Sequence, residues 1–154
     1  MSQRMSQLDV DRQNAKVFNA RMKEDKPQPI KMKSLTITIS GQIMGGKNNI
    51  IITRTGRRFP NRSFAKWRDA ALQSVLYQLP SRFEAIDKPC EVFLRYVAGD
   101  KRRRDMPAII DSIFHVLEKA GVVTDDTLLW VTGSTRSYDK ANPHAMILID
   151  WDNK

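Results

Sequence analysis

The chain has 154 residues, 41% hydrophobic and 28% charged, a balance that excludes a polyelectrolyte tail or an apolar membrane bundle and suffices for one domain with its own core. A lone cysteine, Cys90, excludes an internal disulfide, and no Cys/His cluster has the spacing of a zinc site. The formal net charge of +9 points to a polyanion as partner, because each neutralised phosphate releases counterions.

Residues 1–32 read in composition as a polar extension, expected to be flexible, carrying both signs of charge and closing at Pro27 and Pro29. A short helix over 12–23 is the one element the pattern allows there. No apolar run in this stretch has the length of a signal peptide or a span, so a reduced, cytoplasmic setting with no membrane partner is expected. In LTITISGQI (35–43), Leu35, Ile37 and Ile39 alternate with Thr36, Thr38 and Ser40, the period of a half-buried strand. MGGKNN (44–49) is a turn cluster, a second strand covers 50–53, and RTGRRFPN (54–61) is an arginine-bearing turn. Ser63 is the expected N-cap of a helix over 63–79, whose stripe is Phe64, Trp67, Ala71, Val75 and Leu79 and which Pro80 stops. A third strand over 90–97 leads into GDKRRRD (99–105). A second helix over 107–120 admits Pro107 in its first turn, turns Ile109, Ile113, Val116 and Leu117 to the core, and ends at Gly121. Strands over 128–135 and 145–151 complete a β-β-α-β-α-β-β order. The expected fold is α+β, a small mixed sheet with two helices packed on one side, forming one domain over 33–154.

The stretch 101–126, KRRRDMPAIIDSIFHVLEKAGVVTDD, carries the chemistry. Lys101, Arg102, Arg103 and Arg104 run into Asp105 at a strand-to-helix junction, and Asp125 and Asp126 follow the helix. A helix of this length is roughly 21 Å long, so its two ends share a metal only if strand and turn geometry, or a dimer, brings them together. Spacing leaves both routes open. Aspartates are suited to Mg²⁺, a hard cation that prefers oxygen, and bound metal would invert the sign of an acidic site that DNA must approach. The plainer reading makes Asp105 a helix cap, 124–126 a turn and the basic run a solvated loop. Arg54, Arg57 and Arg58 interleave with Phe59, a composition that suits a splayed strand, although a ring tucked into the core reads equally well. Lys66 and Arg68 read as a solvated helix face, and Trp67, Trp130 and Trp151 as core or dimer-interface residues.

The stretch resembles the RusA family of Holliday junction resolvases, whose motif is a basic run, D-x-D-N, a lysine, a further aspartate and then A-G-(three residues)-D-D. The run Lys101 to Arg104, Asp105, Leu117, Ala120-Gly121 and Asp125-Asp126 match it without a gap, and MGGKNN is similar to the family's Asn-rich loop after strand one. The resemblance covers roughly 35–151. It implies a homodimer that binds four-way DNA junctions and nicks two strands symmetrically, using Mg²⁺ or Mn²⁺ held by aspartates and no small-molecule cofactor. It also implies a role in recombination or repair, in a type of protein often encoded by phages and prophages. Asp105 and Asp126 match the first and last motif aspartates, with Asp125 beside them. The chain departs from the motif at Pro107 and Ala108, carries Asp111 where the family has lysine, and His115 where it has aspartate. The preferred account is a moved ligand: Asp111 leans back toward Asp105 as a replacement carboxylate, with His115 hydrogen-bonding it or a metal-bound water. The other is a non-catalytic branched-DNA-binding protein. The missing lysine's charge falls to Lys47 or to the basic run.

Overall fold

A computed structural model describes residues 33–46 and 49–152. The extension 1–32, with its expected helix, and Lys47 lie outside the described residues. Four strands make the main sheet: β1 (Lys33–Ser40), β4 (Cys90–Ala98), β5 (Leu129–Tyr138) and β6 (His144–Trp151), in the order β1-β6-β4-β5. β6 runs antiparallel to both β1 and β4, while β4 and β5 are parallel, so the sheet is mixed as expected. A parallel pair needs a crossover, and α2 (Met106–Lys119) supplies it.

Alternation decides which face is buried. Ile37 and Ile39 of β1, Val92, Leu94 and Tyr96 of β4, and Ile147 and Ile149 of β6 point inward. They meet Ala71 and Val75 of α1 (Arg62–Gln78) and Ile109, Ile113, Val116 and Leu117 of α2 in one core. Both helices therefore cover one face, and the α+β reading holds. The opposite face leaves Phe93, Trp130 and Met146 exposed. Trp67 and Trp151 pack against the core as expected, whereas Trp130 is 67% exposed.

Three local details differ from expectation. The strand expected after MGGKNN does not join the sheet: β2 (Ile50–Ile52) pairs with β3 (Arg58–Pro60), inside the segment expected as a turn, to make a separate two-stranded hairpin. Gly56 turns this hairpin at φ +78°, a backbone state glycine adopts without a Cβ penalty. The N-cap of α1 is Asn61 rather than Ser63, because Asn61 Oδ1 accepts from the Phe64 amide at 2.7 Å. The end of α2 follows expectation. Gly121 sits at φ +72°, its amide donates to the Glu118 carbonyl and that of Val122 to the Leu117 carbonyl, a Schellman closure. Among the described residues no helix is long and apolar enough to cross a membrane.

Candidate active site

Gly45 and Gly46 lie against the first turns of α2 and of α1, and their lack of side chains allows the approach. A Cβ on Gly45 would sit 3.2 Å from the Ala108 Cβ, and one on Gly46 3.0 Å from the Phe64 ring. The Gly46 amide donates to Ser112 Oγ at 2.8 Å, and Ser112 Oγ in turn donates to the Ala108 carbonyl at 2.9 Å. Ser112 is thus a buried polar side chain with both of its bonds accounted for. Asn49 closes the loop: its Nδ2 donates to the Gly45 carbonyl, and its Oδ1 accepts from Asn61 Nδ2 at 2.8 Å. Loop, hairpin, α1 and α2 are joined at this point.

What they enclose is a cleft of about 400 Å³ lined by Gly46, Ile50, Phe64, Asp111, Ser112, His115 and Asp126. Asp111 and His115 stand one turn apart on the solvent side of α2, and Asp126 reaches the same cleft from the short 3-10 turn Asp126–Leu128 that leads into β5. The two ends of α2 do not meet. Asp126 instead lines the cleft with Asp111 and His115 from the middle of the helix.

The other two motif aspartates hold backbone. Asp105 caps α2, with Oδ1 accepting from the Ala108 amide at 3.4 Å, and it is not among the residues lining the cleft. Asp125 Oδ1 accepts from both the Thr127 hydroxyl (2.6 Å) and the Thr127 amide (2.8 Å). These bonds, the hydroxyl first, hold the Asp125 carboxyl below its usual range. Each aspartate keeps its second oxygen.

The basic run divides. Arg104 folds back onto Asp100, 2.6 Å away, and its Nε is buried without a hydrogen-bond partner among the described residues. The hydrogen bond from Arg104 lowers the Asp100 carboxyl's pKa; burial opposes it, and the Arg102 amide and the two guanidinium charges add to the lowering. Lys101 lies over the Tyr138 ring, 5.4 Å from its centre. Arg136 donates to the Arg102 carbonyl at 2.6 Å and straps the run to β5. The side chains of Arg102 and Arg103 remain exposed. Arg54, Arg57 and Arg58 are exposed on the hairpin, with Phe59 half-exposed beside them rather than tucked into the core.

No family model matches the chain. It is similar to the crossover junction endodeoxyribonuclease RusA of Aquifex aeolicus (strain VF5), with 24% identity over 118 residues, 77% of this chain and 92% of that protein. The chain resembles the RusA family. The similarity thus spans more residues than the acidic motif alone. Sequence reasoning missed Ser112, Gly46, Phe64 and Ile50 as cleft residues, because their role rests on contacts between distant segments. It also missed Asp100, for which a signal existed: an acid four residues before Arg104.

The residues present suit a divalent cation of the Mg²⁺ kind. Among the described residues no three His, Cys, Asp or Glu side chains close into a ready-made cage. Mg²⁺ does not need one, since it keeps several waters and is typically held by one or two carboxylates together with substrate phosphate. Asp111 and Asp126 offer such a pair in an open cleft.

Proposed function

We propose that this chain is a divalent-metal-dependent endonuclease that resolves four-way DNA junctions by paired symmetric nicks, acting as a homodimer in recombination or repair. The observation that carries the reading is the convergence of Asp111, His115 and Asp126 on one cleft, in a chain of net charge +9 that is similar to a crossover junction endonuclease over most of its length. Residues 33–154 form the endonuclease domain in this reading, and 1–32 an extension.

Asp111 and Asp126 would hold Mg²⁺, for which Mn²⁺ can substitute, and the second oxygens of Asp105 and Asp125 are the remaining carboxylate donors of the motif. Bound there, the ion supplies positive charge to the phosphate and a more acidic water. In this reading His115, whose Nδ1 lies 3.9 Å from Glu118 Oε2, is a positioning residue one turn from Asp111. Arg102 and Arg103 take the flanking phosphates, with Lys101 and Arg104 as further basic groups beside them and Lys47 a further candidate from the sequence. Arg54, Arg57 and Arg58 add basic groups along the hairpin. Recognition of a junction over a duplex rests on shape and deformability, since no groove-reading motif is present.

A homodimer supplies the two sites that symmetric nicking requires. What supports one here is the sheet face that no helix covers among the described residues. Phe93, Trp130 and Met146 lie exposed on it, with Glu91 and Arg95 two residues either side of Phe93 on β4. A two-fold axis through Phe93 sets each Glu91 against the other copy's Arg95.

The test is cleavage of a labelled four-way junction with Mg²⁺ or Mn²⁺, beside linear duplex and metal-free reactions. Wild type should give paired nicks. Asp126→Asn and Asp111→Asn should each lose cleavage and keep junction binding, and His115→Ala should slow cleavage roughly 10- to 100-fold. Cleavage intact in Asp111→Asn would sink the moved-ligand account. Tight junction binding without cleavage in any divalent metal would make the chain a non-catalytic branched-DNA-binding protein.

A further inference from the structure

The carboxylate cleft does not end at Ile50 and Phe64. Those two residues, with Gly46, also line a second trough of about 280 Å³ whose other walls are Arg58, Phe59, Pro60 and Arg68. One continuous groove therefore runs from an acidic end to a basic end. Its middle is apolar. Cross-strand pairing puts Ile50 beside Pro60 and Ile52 beside Arg58 on one face of the hairpin, so apolar and cationic side chains alternate along it. Ile50 is 46% exposed, a large apolar side chain left open to water next to an arginine.

The two arginines are available. Arg58 has no ion pair among the described residues. Arg68, its side chain 36% exposed, pairs only with its sequence neighbour Asp69, at 3.4 Å with the acid 70% exposed, a contact of little strength in water. An apolar slot with guanidinium groups at one end and a carboxylate pair at the other matches a nucleotide: a flat apolar base and an anionic phosphate, with the next phosphate one nucleotide away. A paired base inside a duplex cannot enter such a slot, whereas a base freed from its stack can.

We infer that this groove is a binding site for one unpaired nucleotide of branched DNA, its base against Ile50, Pro60 and Phe64 and its phosphate on Arg58 and Arg68. The inference rests on the junction-cleaving reading and adds to it the element that selects a branch point. Arg68 joins the binding residues, and the hairpin becomes the arm that holds the strand beside the carboxylates. Gly46 has a reason to lack a side chain, because a Cβ there would push on the Phe64 ring that separates the two ends of the groove.

The experiment uses the full chain and four-way junctions carrying 2-aminopurine at successive positions around the branch point, in EDTA so that nothing is cut, with binding followed in parallel by mobility shift. Emission should rise several-fold at one position per strand pair on binding. Ile50→Ser combined with Arg58→Gln should remove that rise at saturating protein and weaken junction binding roughly tenfold, while duplex binding changes less. Arg68→Gln alone, on the solvent side of a helix, should reduce the rise without altering thermal stability. A junction bound tightly with every position silent would overturn the nucleotide site and leave the resolvase reading standing. No junction binding at all would overturn both. Silent positions together with a change of oligomeric state in the double variant would make the hairpin a contact between copies of the chain.

Discussion

A carboxylate that caps a helix and one that serves a metal differ in what they require of the side chain. Capping needs an acceptor oxygen, which asparagine supplies as well as aspartate; metal binding needs the charge. Asp105 is therefore separable by two substitutions. Asp105→Ala should cost about 1 kcal/mol or less, since the bond to the Ala108 amide is long at 3.4 Å, and should lower Tm by roughly 2–4 °C. Asp105→Asn should leave Tm unchanged. Loss of junction cleavage in the Asn variant then assigns the charge to catalysis, and retained cleavage confines Asp105 to the cap. Cys90 illustrates a residue with no such double role. Its burial raises the thiol pKa to about 11, so at pH 8 almost none of it is thiolate. Alkylation followed by mass spectrometry should be slow on the folded chain and fast in urea, and fast labelling of the folded chain would show that β4 opens at its start.

Single elements are held by few bonds here, and Gly46 at the cleft is tied to the second helix by the one it donates to Ser112. Ser112 Oγ accepts from Gly46 while donating to Ala108, so Ser112→Ala leaves the Gly46 amide without its acceptor. The expected cost is about 1 kcal/mol, seen as a Tm lowered by roughly 2–4 °C and as faster hydrogen exchange at Gly46. An unchanged Gly46 exchange rate would mean the loop is fixed by Asn49 alone. The sequence showed the helices and main strands well, because the alternation in 35–40 and the stripe from Ile109 to Leu117 are local patterns with a fixed period. It showed the hairpin poorly. Ile50, Ile51 and Ile52 read as a strand, but a continuous apolar run says nothing about which partner it pairs with, and the partner Arg58–Pro60 carries turn-like residues. The shift of the cap from Ser63 to Asn61 has the same origin, since the choice depends on the Asn49–Asn61 bond across twelve residues. In the site, the types of residue were legible and their grouping was not. Asp126 could be matched to a motif, yet its place beside Asp111 and His115 follows from the turn that the Asp125–Thr127 bonds build.

At the scale of the fold, the described helices cover one face of the sheet, and the other face carries a pattern that constrains any partner. Along β4 the outward residues are Glu91, Phe93 and Arg95, an acid and a base equidistant from an aromatic. The Phe93 ring lies over Gly133 of β5, where a Cβ would fall 2.9 Å from it, so this close approach requires glycine there. A second copy approaching with its own β4 antiparallel meets opposite charge at both ends and an apolar centre; approaching parallel, it meets like charge twice. The antiparallel arrangement is isologous, so every contact occurs twice and every substitution counts twice. Glu91→Lys alone and Arg95→Glu alone should each weaken the dimer measured by sedimentation, because each puts two like-charged pairs into the interface. The two substitutions together restore opposite charges across the axis and should restore the dimer. Rescue by the double variant is a signature that general destabilisation cannot produce, since two destabilising changes on one strand would add. A dimer indifferent to all three variants would place the two-fold contact elsewhere, and cleavage of the junction as paired nicks would then have to be explained by another surface.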